Sequence, residues 1–309
     1  MPGSELPPSL RDRYRLLRRG PVALLVRRDW EAALPVEALL DGAPVEQWGS
    51  PVAHALTGRG QLHVLATARG ELVAKVQARG GLAGGVLREA FLDERRGWRE
   101  AEAAETLLAR GIRTPVVVAA RSVRVGPLLH RLELATARVP SRGDLLEALR
   151  AGALPLPVLA AAAGRTVRRA HDAGLAHRDL QAKNLLVPQD FDPAGADGTR
   201  GDLVVLDLDR CRVGQPLPTP ARIAGLARLA RSLVKQGVLP LAPGAAARPG
   251  AMAACRDFVR AYGALPGLPP ARLLAAIGAE LRRTLALHVA GWRRAGGPLA
   301  RKGERPEDR

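Results

Sequence analysis

The sequence predicts an α+β fold of two lobes: a small, mainly antiparallel β lobe with one key helix, then a larger, mainly α-helical lobe. Three observations carry this. Residues 45–80 read as short strands, with apolar residues alternating after Gly60 and again over Glu71–Val76. From Leu145 onward the composition turns Ala-rich, and apolar residues recur at helical spacing. Between these helices stands a polar loop, His177 to Asn184, followed by the apolar runs Leu185–Val187 and Leu203–Leu206. A chain of 309 residues is long enough to bury a full core and to form two lobes.

Taken in order, residues 1–44 are a basic arm and lead-in. Arg11, Arg13, Arg15, Arg18 and Arg19 surround Tyr14, Leu16 and Leu17. Such an arm is a solvated leader by default and a candidate contact with an anionic membrane surface. The first lobe covers 45–136. Strands are expected near 56–65 and 71–76, and a helix over 86–110 carries Glu100, Ala103, Ala104, Leu107 and Leu108 on its faces. Gly111 stops that helix, and strands follow at 116–120, 121–126 and 128–135. The second lobe covers 137–294 and begins at a hinge containing Pro140. Helices are expected at 144–150, 157–173, 221–236, 251–263 and 270–293, and 295–309 reads as a polar tail.

The loop His177-Arg178-Asp179-Leu180-Gln181-Ala182-Lys183-Asn184 reads H-R-D-L-x-x-x-N, the catalytic-loop pattern of kinases. In that chemistry the Asp accepts the proton of the attacking hydroxyl, and the Asn holds a metal ion. A second Asp at the end of a nearby strand holds metal against the nucleotide phosphates, and Asp207 ends the run Leu203–Leu206. Two short strands joined by the loop 188–201 would set Asp207 beside Asn184. Upstream, Gly58-Arg59-Gly60 resembles the start of a phosphate-covering Gly-rich loop, with His63 where a third Gly would stand. Lys75 lies in the V-A-K strand. Only four of the 47 basic residues are Lys, so a Lys in an apolar strand points to a need for a compact ammonium. Glu100 is its candidate helix-borne partner, with Glu102 and Glu105 as competitors.

Net charge is +17, which attracts anionic lipid, nucleic acid or phosphorylated ligands; the competing reading is compositional, an Arg- and Ala-rich chain encoded by a GC-rich genome. Aromatic residues make up 3% of the chain, too few for base-stacking platforms, so nucleic acid is not an expected partner. Cys211 and Cys255 have neither metal-type nor framework spacing, which suits a reduced, cytoplasmic setting. The N-terminus has no signal-peptide run, and no stretch of about 18 uninterrupted apolar residues would span a membrane. The segment from Asp207 to Pro220 is short and no A-P-E follows. A long peptide-docking segment does not fit there, which favours a small or lipid-linked hydroxyl acceptor.

Over roughly 56–236 the chain resembles the bacterial lipopolysaccharide kinases, which include Kdo (3-deoxy-manno-octulosonic acid) kinase and core heptose kinases. The residues that carry the resemblance are Gly58-Arg59-Gly60, the Lys75 strand, Arg79-Gly80-Gly81-Leu82 and Arg99-Glu100. It continues through His177–Asn184, Asp207-Leu208-Asp209-Arg210 and Arg228-Leu229-Ala230-Arg231-Ser232-Leu233-Val234-Lys235. The resemblance implies a bilobal protein-kinase-like fold, ATP with Mg²⁺, and phosphorylation of a sugar hydroxyl on the lipid A–core precursor. It places that work at the cytoplasmic face of an inner membrane. By this match Asp179 is the base and Asn184 and Asp207 are metal ligands. Gly58, Gly60, Lys75 and Glu100 serve the nucleotide, and His177, Arg178, Lys183 and Asp209 support the loop. Two other readings compete: a kinase of another acceptor, such as an aminoglycoside-type molecule or a protein Ser/Thr, and a nucleotide-binding pseudokinase. Intact Lys75, Asp179, Asn184 and Asp207 argue against the pseudokinase.

Overall fold

A computed structural model describes residues 6–52, 62–77, 90–152, 154–194, 200–240 and 249–294, with 286–294 by backbone alone. The chain divides into two compact units. The first comprises Met1–Arg110, Thr114–Val139 and Leu208–Cys211, and the second Gly111–Arg113, Pro140–Asp207 and Arg212–Arg309.

The first unit opens with the turn α1 (Pro8–Arg11) and the hairpin β1 (Tyr14–Arg19) and β2 (Val22–Arg27). After the short helix α2 (Val36–Leu40) come β3 (Ser50–Pro51), β4 (Leu62–Thr67), β5 (Gly70–Val76) and β6 (Ala90–Phe91). Helix α3 (Arg96–Ala109) precedes the hairpin β7 (Val117–Arg124) and β8 (His130–Ala137). The strands form one antiparallel sheet in the order β1-β2-β7-β8-β5-β4-β3, with β6 paired to the end of β8. Val22–Val26 is buried throughout, because β2 lies between β1 and β7.

This hairpin corrects the expectation of a free basic arm over 1–20 and of a separate lead-in over 1–44. Tyr14 is fully buried, and its hydroxyl lies 2.9 Å from Glu105 Oε1 and 2.7 Å from Val117 O. Arg15, Arg18 and Arg19 meet Glu31, Glu94 and the Glu37/Asp41 pair, so their charge belongs to this unit's own surface. Two other expectations also change. Strands expected at 116–120 and 121–126 are the single strand β7, because Arg121 at its middle is buried against Glu133 of β8. The helix expected over 86–110 starts at Arg96, since Ala90–Phe91 pairs with β8 and a turn intervenes.

Gly97 sets how closely α3 approaches the sheet: a Cβ there would sit 2.9 Å from Ala120 Cβ on β7. Glu100 follows one turn later on that face and is buried.

In the second unit β9 (Ser141–Asp144) leads into α4 (Leu145–Ala151), started by a reciprocal capping box between Asp144 and Glu147. Then come α5 (Leu156–Asp172), β10 (Leu175–Ala176), β11 (Leu185–Pro188), β12 (Val204–Val205) and β13 (Arg212–Val213). Helices α6 (Thr219–Lys235), α7 (Ala251–Tyr262) and α8 (Pro270–Arg294) complete it. Strands β12-β11-β9 form one small antiparallel sheet and β10-β13 another. An apolar cavity of about 380 Å³, lined by residues such as Leu159, Leu226, Phe258 and Ile277, lies among these helices. Among the described residues no helix is long and apolar enough to cross a membrane.

His171, on α5, is buried with its Nδ1 2.8 Å from the Tyr262 hydroxyl. Burial, reinforced by Arg222, brings its pKa from 6.5 down to about 3. A histidine with a lower pKa folded than unfolded leaves the unfolded chain holding the extra proton between the two values. Stability is therefore full above about 6.5 and falls as pH drops through that window. We expect the urea midpoint to fall between about pH 7 and pH 5, with proton uptake on unfolding. A midpoint that is flat over that range would contradict the burial of this histidine.

Candidate active site

The second unit brings together Asp179, Asn184 and Asp207. Leu185 pairs with Val205 across β11 and β12, and the Leu206 N–H donates to Asn184 O at 2.9 Å. Asp207 therefore begins where the Asn184 backbone ends its pairing. The loop is then closed from inside. The Asp179 N–H donates to His177 Nδ1 at 3.1 Å, so the ring's proton is on Nε2, which donates to Leu206 O at 3.0 Å. Burial lowers the His177 pKa, which keeps the ring in this neutral form. One buried imidazole thus ties the backbone of Asp179 to that of the residue before Asp207.

Asn184 is also buried, and its Nδ2 donates to Asp179 O at 2.7 Å. The amide oxygen is then the group left to face a ligand. Gln181 Nε2 donates to Asp179 Oδ1 and holds that carboxylate by one oxygen. Helix α6 supports the loop from below: Ser232 Oγ accepts from the Ala182 N–H at 3.1 Å, and Arg228 donates to His177 O at 3.2 Å. Arg231 on the same helix has its pKa lowered by burial and by Arg228, with Asp179 acting in the opposite sense. The R-L-x-R-S-L-x-K pattern is therefore the loop's brace. Arg178 and Lys183 are exposed on the loop itself.

Asp207 and Arg210 are the two non-glycine residues with positive φ among those described, at 57° and 56°. Such backbone costs on the order of 1 kcal/mol per residue and persists where the surroundings impose it. Asparagine amide and aspartate carboxylate oxygens are hard donors suited to Mg²⁺. Among the described residues no three His, Cys, Asp or Glu side chains converge on one point.

The first unit holds the other candidates. Lys75 lies on β5, opposite Leu134 of β8. Gln77, two residues on and so on the same sheet face, donates from Nε2 to Glu100 Oε2 at 3.2 Å. Glu100 therefore faces the side of the sheet that carries Lys75. Its competitors are engaged elsewhere. Glu105 is buried among Tyr14, Arg13 and Arg27, and Glu102 accepts from Ser9 Oγ at 2.8 Å. Asp209 is paired with Arg96 through both carboxylate oxygens, and that guanidinium sits 4.5 Å from the Phe91 ring centroid. Gln77, Gln181 and Arg96 are not among the sequence-based candidates; Gln77 and Gln181 carried a local signal, each two residues from a candidate, Lys75 and Asp179, whereas Arg96 carried none. Gly58 and Gly60 lie outside the described residues.

An antiparallel sheet crossed by a helix with a buried glutamate, and a helical unit that carries a closed H-R-D-L-x-x-x-N loop, define a phosphotransferase of the protein-kinase-like class. The chain belongs to the lipopolysaccharide kinase (Kdo/WaaP) family, whose model matches residues 45–262. It is similar to the 3-deoxy-D-manno-octulosonic acid kinase of Photobacterium profundum, 32% identical over 206 residues that cover 65% of this chain and 80% of that one. The enzyme of the same name from Xylella fastidiosa strain M12 is 30% identical over 200 residues, covering 63% and 75%. Among solved structures, one described as WaaP in complex with acyl carrier protein matches with a TM-score of 0.50 and 24% identity. It covers 87% of this chain and 97% of that one and supports the fold.

Proposed function

We propose that this protein transfers the γ-phosphate of ATP to a hydroxyl of Kdo, or of a core heptose, on the lipid A–core precursor at the cytoplasmic face of an inner membrane. The observation that carries the reading is the closure of the His177–Asn184 loop, in a chain whose relatives are named Kdo kinases. Asp179 takes the proton of the acceptor hydroxyl as its oxygen bonds to the γ-phosphorus. The bond from that phosphorus to the β,γ-bridging oxygen breaks, and ADP leaves. Gln181 holds the Asp179 carboxylate by Oδ1, and His177 holds the Asp179 backbone through its N–H. Lys75, with Glu100 and Gln77 on its face of the sheet, binds nucleotide phosphate, and Asn184 Oδ1 and Asp207 are the groups that would hold Mg²⁺. Bound there, the ion would supply positive charge to the transferring phosphates. Asp209, paired with Arg96, acts on the structure of its own segment rather than on the metal.

Two measurements test this. Asn184→Ala and Asp207→Ala should bind ATP almost equally with and without Mg²⁺, whereas the wild type binds more tightly with it. Equal metal dependence in all three proteins would remove both residues from the metal site. Incubation with ATP and Kdo–lipid A should yield lipid heavier by one phosphate, and lipid A without Kdo should remain unmodified. Phosphorylation of both lipids alike would move the acceptor off the sugar.

A further inference from the structure

Among the described residues four large apolar side chains are strongly exposed, and three of them gather at one end of the first unit's sheet. Val125 is 55% exposed and Leu128 71% exposed in the turn that joins β7 to β8. The Val125 N–H donates to Leu129 O at 2.8 Å, which closes that turn. Leu92, 69% exposed, leaves β6 at the same end, since Phe91 stands opposite His130, the first residue of β8. Arg124 also pairs with His130, so Arg124, His130 and Phe91 form one row, and Val125, Leu128 and Leu92 project beyond it.

The rim around this tip is basic. Arg124 is exposed, Arg131 is 38% exposed one residue below the row, and Arg99 is 67% exposed on α3. The acidic groups nearby are outnumbered and matched: Asp93 pairs with Arg99, Glu94 with Arg18, and buried Glu133 with both Arg121 and Arg131, which leaves Arg124 as the exposed charge at the tip itself. Scattered exposed apolar residues are ordinary on any protein surface, but a cluster of three inside an arginine rim is a different pattern. Apolar side chains with flanking arginines match the two layers of an anionic bilayer, where acyl chains lie beneath phosphate headgroups. The net charge of +17 favours the same partner.

We infer that the β7–β8 turn and Leu92 form a membrane-docking tip, by which the protein reaches an acceptor held in an anionic leaflet. This rests on the proposed lipid-linked acceptor. It also replaces the N-terminal arm as the contact, since Tyr14 is buried and β1 is part of the sheet.

The test uses the full chain with vesicles of equal parts phosphatidylglycerol and phosphatidylcholine, and with phosphatidylcholine alone. The wild type should float with the anionic vesicles and be released by salt, as the Debye length contracts from about 10 Å at 0.1 M to about 3 Å at 1 M. The triple variant L92S/V125S/L128S should bind about tenfold more weakly, because it loses most of the buried apolar area. Leu92 also lines the pocket that holds Glu100, so basal activity is checked on V125S/L128S, which should phosphorylate detergent-dispersed Kdo–lipid A at the wild-type rate. Arg124→Glu provides a second variant, expected to weaken binding and to flatten its salt dependence. Wild-type and triple-variant binding of equal strength would overturn the inference. So would failure of the wild type to bind, or self-association of the wild type that the triple substitution abolishes. Vesicle binding lost in the triple variant, with no phosphorylation by the wild type in detergent, would support the docking tip and remove the acceptor assignment.

Discussion

Asp179→Asn should retain nucleotide binding and lose turnover by about 10²–10⁴-fold, the range expected when a general base is removed. The separation of the two effects follows from where the carboxylate acts. In the proposed mechanism it meets the acceptor hydroxyl, whereas Lys75 serves the nucleotide phosphate and Asn184 and Asp207 the metal. The asparagine is nearly isosteric, so Gln181 can still bond to it and the loop can still close through His177. ATP affinity within a few-fold of wild type, alongside a collapse in kcat, is the expected outcome. Turnover within tenfold of wild type would remove Asp179 as base.

Arg121→Ala should cost about 3 kcal/mol of stability, the low end of the usual result of breaking a buried pair, because Arg131 still lies 3.2 Å from Glu133 Oε1. Arg121 is 1% exposed and Glu133 2%, and they face each other across β7 and β8. Arg121 also donates to Leu39 O at 2.8 Å, and its guanidinium lies 5.3 Å from the Trp48 ring centroid. Deletion therefore unseats α2 and Trp48 as well as the charge. Replacing both partners, as Arg121→Met with Glu133→Leu, should recover most of the loss, since a matched apolar pair avoids the desolvation that the ion pair incurs. Urea denaturation of the two single variants and the double variant measures this. Single substitutions that cost less than about 1 kcal/mol would mean that water reaches the pair.

How much of this was legible in the sequence depends on whether the information was local. The loop from His177 to Asn184 could be read because base, amide and turn lie within one short segment. The two strands that bring Asp207 to Asn184 were marked by apolar runs on either side of a Pro- and Gly-rich loop. The β1–β2 hairpin was missed even though Arg19-Gly20-Pro21 is a turn signal and Val22–Val26 an apolar run. The Arg-rich flank masked it, and the acids that neutralise those arginines come from Glu31, Glu37, Asp41 and Glu94. Likewise a charged residue at 121 reads as the end of a strand until Glu133 is known to lie opposite. That Glu105 is engaged elsewhere could not be read locally, because Tyr14, Arg13 and Arg27 lie 78 to 92 residues away from it.

Phosphorylation of a sugar hydroxyl of the lipopolysaccharide core is the proposed activity of this chain. The most direct measurement is phosphorus–proton correlation spectroscopy on the lipid recovered after reaction of the wild-type protein with ATP, Mg²⁺ and Kdo–lipid A. One new phosphomonoester coupled to a ring proton of Kdo is expected, absent when Asp179→Asn replaces the wild type. A new phosphate on the glucosamine backbone of lipid A, or a lipid unchanged while ATP is consumed, would contradict it.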